Sequence, residues 1–487
     1  MSAADDAEPA FDPGTAFDPG TADGTPGGGS RGDSTPGSSA RDTPAGRRLT
    51  RLRAAWTGSV LGVRDFRLLS FGQLASTVGD YCYAVALPWF ILSTARDNTA
   101  LLGIVLACYG VPRTVLIPFG GSLSDRLSAR AVMLTADVAR GVLVAAFAVL
   151  AIRGTHSVAV LGPLAALIGA GEGVFLPASQ AIMPTIIPME RLAAGNSINS
   201  AMVQAGSLAG PVLGGLLVAS AVGPGGAFGL DAASFAISAV TLALMAARRR
   251  PASAMPAPES PAPESPAPES PAAGLANPAV ETSVWSLLRR QRLLQVLIAV
   301  SVVANLVFAG TFEVALPALA RADFGAIGYG TLIACFGVGA LTGTLVAGRA
   351  GSLARPAVAA CCAFLLGGAF VAAVPYLGGL AGAAAVVVVF GAAIGFGNII
   401  MITLLQQWAP AQMLGRVMSL LMLASMGTFP ISVAVAGVLV KTIGSAPFFP
   451  VAGASLAAAV LAALTQRVVR DFGSASPPQP GLEPDPA

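Results

Sequence analysis

The chain has 487 residues, of which 54% are apolar and only 11% charged, with a net charge of +3. Soluble globular proteins carry about 25% charged residues, so a large water-soluble core is excluded, and a mean hydropathy of +0.73 requires hydrocarbon as solvent. No basic patch interleaved with aromatics appears, which argues against nucleic-acid binding.

Residues 1–62 are rich in Pro, Gly, Ser, Thr and Asp and repeat AFDPGT at 10–15 and 16–21. Such a segment buries too little apolar surface to offset ordering and is expected to be a disordered tail. It has no basic start followed by an apolar stretch, so it does not read as a signal peptide. Apolar runs long enough to span hydrocarbon then follow at 68–93, 100–119, 131–152, 158–180, 199–220 and 226–246. Three tandem PAPES units at 256–270 predict an extended, solvated spacer, because proline removes helix donors and favours polyproline II. Six more runs lie at 293–317, 327–348, 356–375, 380–403, 417–440 and 446–466. The expected organisation is a tail (1–62), a six-helix bundle (63–247), a Pro-rich linker (248–288), a second six-helix bundle (289–468) and a disordered tail (469–487). The fold class is therefore all-α, an integral membrane protein of twelve transmembrane helices in two bundles.

Arginine placement sets the orientation. Arg47, Arg48, Arg51, Arg53, Arg64 and Arg67 precede the first run, and Arg126, Arg130 and Arg191 fall in even-numbered connections of the first half. Arg248, Arg249, Arg250, Arg289, Arg290 and Arg292 flank the linker, and Arg349, Arg355, Arg416, Arg467 and Arg470 complete that side. The opposite side holds Arg96, Arg153, Arg321 and Lys441. Both termini are expected in the cytoplasm. The cysteines Cys82, Cys108, Cys335, Cys361 and Cys362 lie in apolar runs without metal spacing, and the one histidine, His156, sits in a short connection. No cofactor, metal site or enzymatic constellation is expected, and no GxxxxGK[ST] phosphate loop is present.

Between the second and third runs stands Gly121-Ser122-Leu123-Ser124-Asp125-Arg126, followed by Arg130. The glycine permits close helix approach, and the charged groups can bond neighbouring helix ends. This segment resembles the signature loop of the major facilitator superfamily, with Arg130 alone where that loop often carries a basic pair. The resemblance implies that Gly121, Asp125, Arg126 and Arg130 form a gating loop. The matching place in the second half, Gly343 to Arg349, lacks the aspartate, so the gate charge is expected in the first half only. Asp65-Phe66-Arg67-Leu68, Asp137-Val138-Ala139-Arg140, Phe175-Leu176-Pro177-Ala178, Ala194-Gly195-Asn196-Ser197 and Leu414-Gly415-Arg416-Val417 resemble, in that order, drug, macrolide and siderophore efflux proteins of that superfamily. Gly206, Gly210, Pro211, Gly214 and Gly215 in the fifth run suit close helix packing and resemble the antiporter motif of the family.

Charges inside spans are expensive and usually functional. Asp80, Glu172 and Glu313 are candidates for proton coupling or cation recognition, since a carboxyl group in low dielectric exchanges protons readily. Arg113 suits pairing with a carboxylate or an anionic substrate group, and Asp80 is its expected partner. Asp137 and Arg140, near the inner end of the third run, can also serve the site or simply reach the interface; Asp231 has the same interfacial option. The resemblance implies a secondary active, proton-coupled exporter of a drug-like, macrolide, siderophore or secondary-metabolite compound, working by alternating access in a bacterial inner membrane. Its expected partners are that substrate, protons and the lipid bilayer, with the protein a monomer. A nutrient importer of the same fold and a non-transporting membrane sensor are the alternatives.

Overall fold

Fully apolar sequence with internally paired backbone can cross hydrocarbon only as helix or closed barrel, and here every described span is helical. The computed structural model describes residues 60–94, 97–154, 157–245, 291–349, 353, 355–409 and 411–472. The PAPES linker, His156 and most of both tails lie outside the described residues. Among the described residues, twelve long helices follow in chain order. The first six are α1 (Arg64–Thr94), α2 (Thr99–Arg126), α3 (Ala129–Ile152), α4 (Val158–Ile186), α5 (Leu192–Ala219) and α6 (Gly223–Leu244). The second six are α7 (Arg292–Asp323), α8 (Gly325–Arg349), α9 (Pro356–Ala373), α10 (Gly379–Trp408), α11 (Ala411–Met426 continued as Phe429–Ile443) and α12 (Ser445–Thr465). No strand occurs among the described residues.

Eleven of these helices are long and apolar enough to cross a membrane. The exception is α1, which has the length but carries Arg64, Asp65, Arg67, Gln73 and Asp80. Packing holds it in the bundle, since it lies against both α5 and α6. Most helices outrun their apolar stretches at one end, as α2 does through Asp125 and Arg126. Helical hydrogen bonding continues into the polar interface after hydropathy has fallen, so apolar runs underestimate helix length. Two ends of the chain also need correction. Val60–Gly62, expected as tail, is a short 3-10 turn with Val60 buried in a cluster with Phe66 and Leu69. Arg467–Arg470 is a short helix with Val469 buried.

The helices pack in two sets of six with matching pairings: α2 on α4 and α8 on α10, α3 on α6 and α9 on α12. Each set has an aromatic core, Tyr83, Phe90, Phe147 and Phe228 in the first and Phe308, Phe312, Phe336 and Phe390 in the second. The sets meet along two helix pairs, α2 with α11 and α5 with α8. These crossing contacts lie at the middle of the helices and toward the end that carries the α1–α2 and α7–α8 turns. There Thr99 donates to the Gly437 carbonyl at 2.9 Å, and Thr114 donates to Met426 O at 3.1 Å. At the far end, a Cβ added to Gly121 or Gly348 would meet no atom within 4 Å. The tight α7–α8 turn needs Gly325 at φ +72, a backbone conformation that only glycine adopts without strain.

The glycines of α5 lie at close helix approaches. Gly206, Gly210 and Gly214 face α1, where added side-chain carbons would strike Thr77, Tyr81 and Cys82. Gly215 and Pro211 face α8, and a Cβ added to Gly215 would lie only 2.8 Å from Ala326 O. One helix thus carries two small-residue faces, one for its own bundle and one for the opposite bundle.

Candidate functional site

Asp80 on α1, Arg113 on α2, Arg140 on α3, Glu172 on α4 and Glu313 on α7 all line one cavity of about 250 Å³ between the two sets of helices. Asp231 on α6 and Phe429 on α11 line it as well. Four carboxyl groups thus face two guanidinium groups. Tyr81, Tyr83, Tyr109 and Phe235 supply aromatic wall, and Leu87, Leu106, Val144 and Ile168 supply aliphatic wall.

The charges pair differently from the sequence expectation. Arg140 donates to Asp80 Oδ1 at 2.6 Å, and Arg113 bonds Glu172 Oε1 at 3.1 Å. The expected Asp80–Arg113 pair does not form. Apolar runs set the depth of each residue but not the rotation of its helix, and α2 turns Arg113 toward α4 while α3 turns Arg140 toward α1. Arg140 is also stacked over Phe235, 4.3 Å from the ring centroid, with Phe175 on another side at 5.8 Å. A guanidinium tolerates such a setting because its charge is delocalised and weakly hydrated. Asp80 is 40% exposed against 4% for Arg140, so the carboxylate of this pair is the more open of the two to the cavity that both line.

Glu172 is held on both oxygens. Tyr109 donates its hydroxyl to Oε2, and Arg113, one turn further along α2, takes Oε1. Asp231 and Glu313 have no salt-bridge partner among the described residues. Glu313 sits in a π-helical turn, Thr311–Ala315, that interrupts α7. Single π-turns within α-helices recur at functional sites because they re-aim one side chain.

Two interfacial readings are corrected. Asp137 is fully buried rather than reaching the membrane surface; it does not line the cavity and accepts from Ser238 Oγ at 2.6 Å. Asp231 is 1% exposed and belongs to the cavity wall. It is the site residue that sequence reasoning undervalues. A signal is present, because Asp231, Ser234, Ser238 and Thr241 recur every three or four residues, which draws one polar stripe on an otherwise apolar helix.

In the Asp125 loop, Arg130 donates from Nε to Leu242 O at 2.7 Å and from Nη2 to Ala243 O at 2.8 Å. It therefore caps the carbonyl end of α6, as a cation at a helix C-terminus should. Arg126 is exposed. Gly121 does not mediate the helix approach expected of it; the packed residue is Gly120, where an added Cβ would lie 2.7 Å from Val174 O on α4. The difference is one position of helical phase, about 100° of rotation.

Across the sets at the opposite end, Arg321 on α7 pairs with Asp97 in the α1–α2 turn and lies 5.5 Å from the centroid of the Trp89 ring.

Residues 69–326 match the sequence profile of the Major Facilitator Superfamily. Over 161 residues the chain is 33% identical to the multidrug efflux pump Tap of Mycolicibacterium fortuitum, an alignment covering 31% of this chain and 38% of Tap. It is 24% identical over 170 residues to the MFS-type transporter YfiS of Bacillus subtilis strain 168, covering 35% of this chain and 39% of YfiS. The chain thus spans under two fifths of the length of these curated relatives. Among solved structures, the nucleoside transporter NupG superposes with a TM-score of 0.63 at 13% identity, over 82% of this chain and 98% of NupG. A bacterial homologue of the iron transporter ferroportin in its inward-facing state superposes with a TM-score of 0.60 at 16% identity, over 86% of this chain and all of that one.

Proposed function

This chain belongs to the Major Facilitator Superfamily, a transporter family, and from that premise we propose that it is a proton-coupled exporter of a cationic, partly aromatic small molecule. The observation that carries the reading is the cavity at the junction of the two helix sets, where four carboxyl groups outnumber two guanidiniums. Asp231 and Glu313 are the acids left for a substrate cation or a proton, while Asp80 and Glu172 are engaged by Arg140 and Arg113. Tyr and Phe faces around them suit a cation through the ring quadrupole as well as through burial. Among the compound classes that efflux transporters carry, this favours amine-bearing drugs and macrolides over anionic siderophores. The likeness to Tap supports outward transport of drug-like compounds.

The chemistry is binding and displacement. A carboxylate that pairs with a cation cannot also hold a proton, so one site admits the two in turn, and exchange follows when the site faces each side alternately. Arginine placement supports a cytoplasmic Asp125 loop, and with that orientation the Thr99–Gly437 bond and the Asp97–Arg321 contact lie at the outer end, which favours an inward-opening form. The Asp97–Arg321 contact and the α2–α11 and α5–α8 seams close its outer end. A cavity of about 250 Å³ falls just below the roughly 300–1,000 Å³ of drug-sized pockets, so a macrolide-sized substrate must part the helix sets as it enters. We assign the gating role to the Asp125 loop, whose closure against the second set would seal the inner end. A monomer suffices for this cycle, since both halves of the site come from one chain.

Everted membrane vesicles carrying the full chain test the reading. With an imposed inward-acid pH gradient, ethidium or an amine-bearing macrolide should accumulate and partly dissipate the gradient, and Glu313→Gln should abolish both. Accumulation driven equally well without a gradient would refute proton coupling. Uptake only in right-side-out vesicles would make the protein an importer. Transport of an anionic siderophore in preference to the cations would refute the substrate class.

A further inference from the structure

A second polar feature lies inside the first helix set, beside the cavity and not in it. On α6, Asp231, Ser234, Ser238 and Thr241 form a stripe in which each residue is 6% exposed or less. Its upper end, Asp231, reaches the cavity. Its lower end adjoins Leu242, whose carbonyl Arg130 caps at the Asp125 end of the bundle. Its hydroxyls bond back to their own helix: Ser234 Oγ donates to Asp231 O at 2.7 Å and lies 3.3 Å from Asp231 Oδ1, and Thr241 Oγ1 donates to Ser238 O at 2.8 Å. From α3, Asp137 joins the stripe through Ser238, and its other oxygen, Oδ1, is buried without a hydrogen-bond partner among the described residues. On α1 the facing positions are Gly72 and Gly79, which let that backbone lie directly over Ser238 and Ser234.

Each of these groups is costly in a membrane bundle, and a buried carboxylate oxygen with no donor is the costliest of them. Arg140, one turn along α3, bonds Asp80 through Nη2, and its Nε is likewise buried without a hydrogen-bond partner among the described residues, so Arg140 makes no hydrogen bond to Asp137. The other charged groups in electrostatic reach of this seam are Asp80 on α1, Asp231 on α6 and Glu172 on α4, all acids. Asp80 and Asp137 thus share the single Arg140 cation, and a proton on Asp137 Oδ1 removes the second of the two negative charges. Packing alone would not select an acid here, since an asparagine has the same shape and offers its own donor.

We infer that Asp137 is a proton-binding site of the first helix set, held by Ser238 on the same polar stripe that carries Asp231 of the cavity. A proton arriving from water at the Asp125 end bonds to Asp137 Oδ1 and converts the carboxylate to the acid. On release that O–H bond breaks and the proton returns to water; no other bond changes. Along α6, Asp231 and Ser238 are separated by about 10 Å of helix rise, so Asp137 and Asp231 are separate sites on one stripe. Protonation of Asp137 breaks neither the Arg113–Glu172 nor the Arg140–Asp80 pair. The site's existence does not depend on the direction of transport, although its use in coupling rests on the exporter reading above.

Difference infrared spectroscopy of the purified full-length protein in lipid nanodiscs, between acid and alkaline buffer, reads the site directly. A carbonyl stretch of a buried protonated carboxyl should appear in wild type and in Glu172→Gln, vanish in Asp137→Asn and shift in Asp137→Glu. Ser238→Ala should move the band by removing a hydrogen bond while leaving it present. Bands of Asp231 and Glu313 are identified by their own amide variants; if no band component depends on Asp137 at any pH, or if the Asp137 component is displaced by sodium at constant pH, the proposal is overturned. If the band behaves as expected but vesicles transport nothing in either direction, the proton site stands and the exporter reading falls.

Discussion

Tyr109 and Arg113 hold the two oxygens of Glu172 from one face of α2, and Phe429 of the second helix set stands 6.4 Å from the Tyr109 ring. This small group therefore senses both the charge in the cavity and the position of α11. Removing one partner of a buried pair leaves an uncompensated charge, typically at a cost of about 3–5 kcal/mol, and the 20% and 19% exposure of these side chains places the cost at the lower end of that range. Arg113→Met is expected to lower thermal stability and abolish transport, whereas Arg113→Met with Glu172→Leu should recover most of the stability and none of the transport. A thermal-shift assay in detergent beside vesicle transport checks both. Equal stability of the single and double variants would mean that the pair contributes nothing to folding. At this scale the sequence disclosed which residues were costly, because a charge in an apolar run is visible without a structure. It could not disclose partners. Arg113 and Arg140 both lie at depths accessible to Asp80, and only helix rotation, which depends on packing between distant segments, gives Asp80 to Arg140.

Along α5, one element serves two purposes, and the two faces separate by consequence. Gly214 faces Cys82 and Val85 within its own bundle, whereas Gly215 faces Ala326, Ile327 and Gly330 of α8 in the other. A side chain at the first face must disrupt packing inside one helix set. A side chain at the second acts on a seam that opens in the proposed cycle. Gly214→Val is therefore expected to reduce folding yield and stability, by about 1–3 kcal/mol for overpacking. Gly215→Val should leave stability nearly intact and shift the population toward the form open at the Asp97 end. Labelling of a cysteine introduced at Thr331 would report this as a faster rate in Gly215→Val than in wild type; an unchanged rate would show that the α5–α8 seam does not govern opening. The twelve elements themselves were legible as apolar runs, and the two glycine faces as a repeat of small residues. The π-turn around Glu313 and the interruption of α11 at Gly427 and Thr428 were not, because both are local departures from helix geometry that leave the hydropathy pattern unchanged.

For the molecule as a whole, the proposed alternating cycle makes the balance between two forms depend on contacts that exist in only one of them. On that proposal Asp97 and Arg321 make such a contact, joining the α1–α2 turn of one helix set to the end of α7 in the other, with the Arg321 guanidinium over the Trp89 ring. Asp97 adopts φ +59, a left-handed conformation that aspartate tolerates better than most residues, so the turn itself aims the carboxylate. Exposure limits the strength of the contact: Asp97 is 66% exposed and Arg321 28%. An exposed ion pair contributes about 0.2–1 kcal/mol and a surface cation–π contact about 0.5–1 kcal/mol. Together they bias the equilibrium by roughly three- to thirtyfold, taking about 1.4 kcal/mol per factor of ten. That is enough to set the resting form without locking it, which a transporter that must reopen in every cycle requires. Arg321→Ala should therefore raise labelling of the cavity from the Asp97 end, and the rise should shrink at high salt as wild type loses the same ion pair to screening. Exchanging the charges, with Asp97→Arg and Arg321→Asp together, should restore the ion pair but not the ring contact, and so return the equilibrium only part of the way. Trp89→Leu should reproduce the missing part. If the exchange variant labels as fast as Arg321→Ala while Trp89→Leu labels like wild type, then neither attraction holds the helix sets together, and the α2–α11 and α5–α8 seams alone set the resting form.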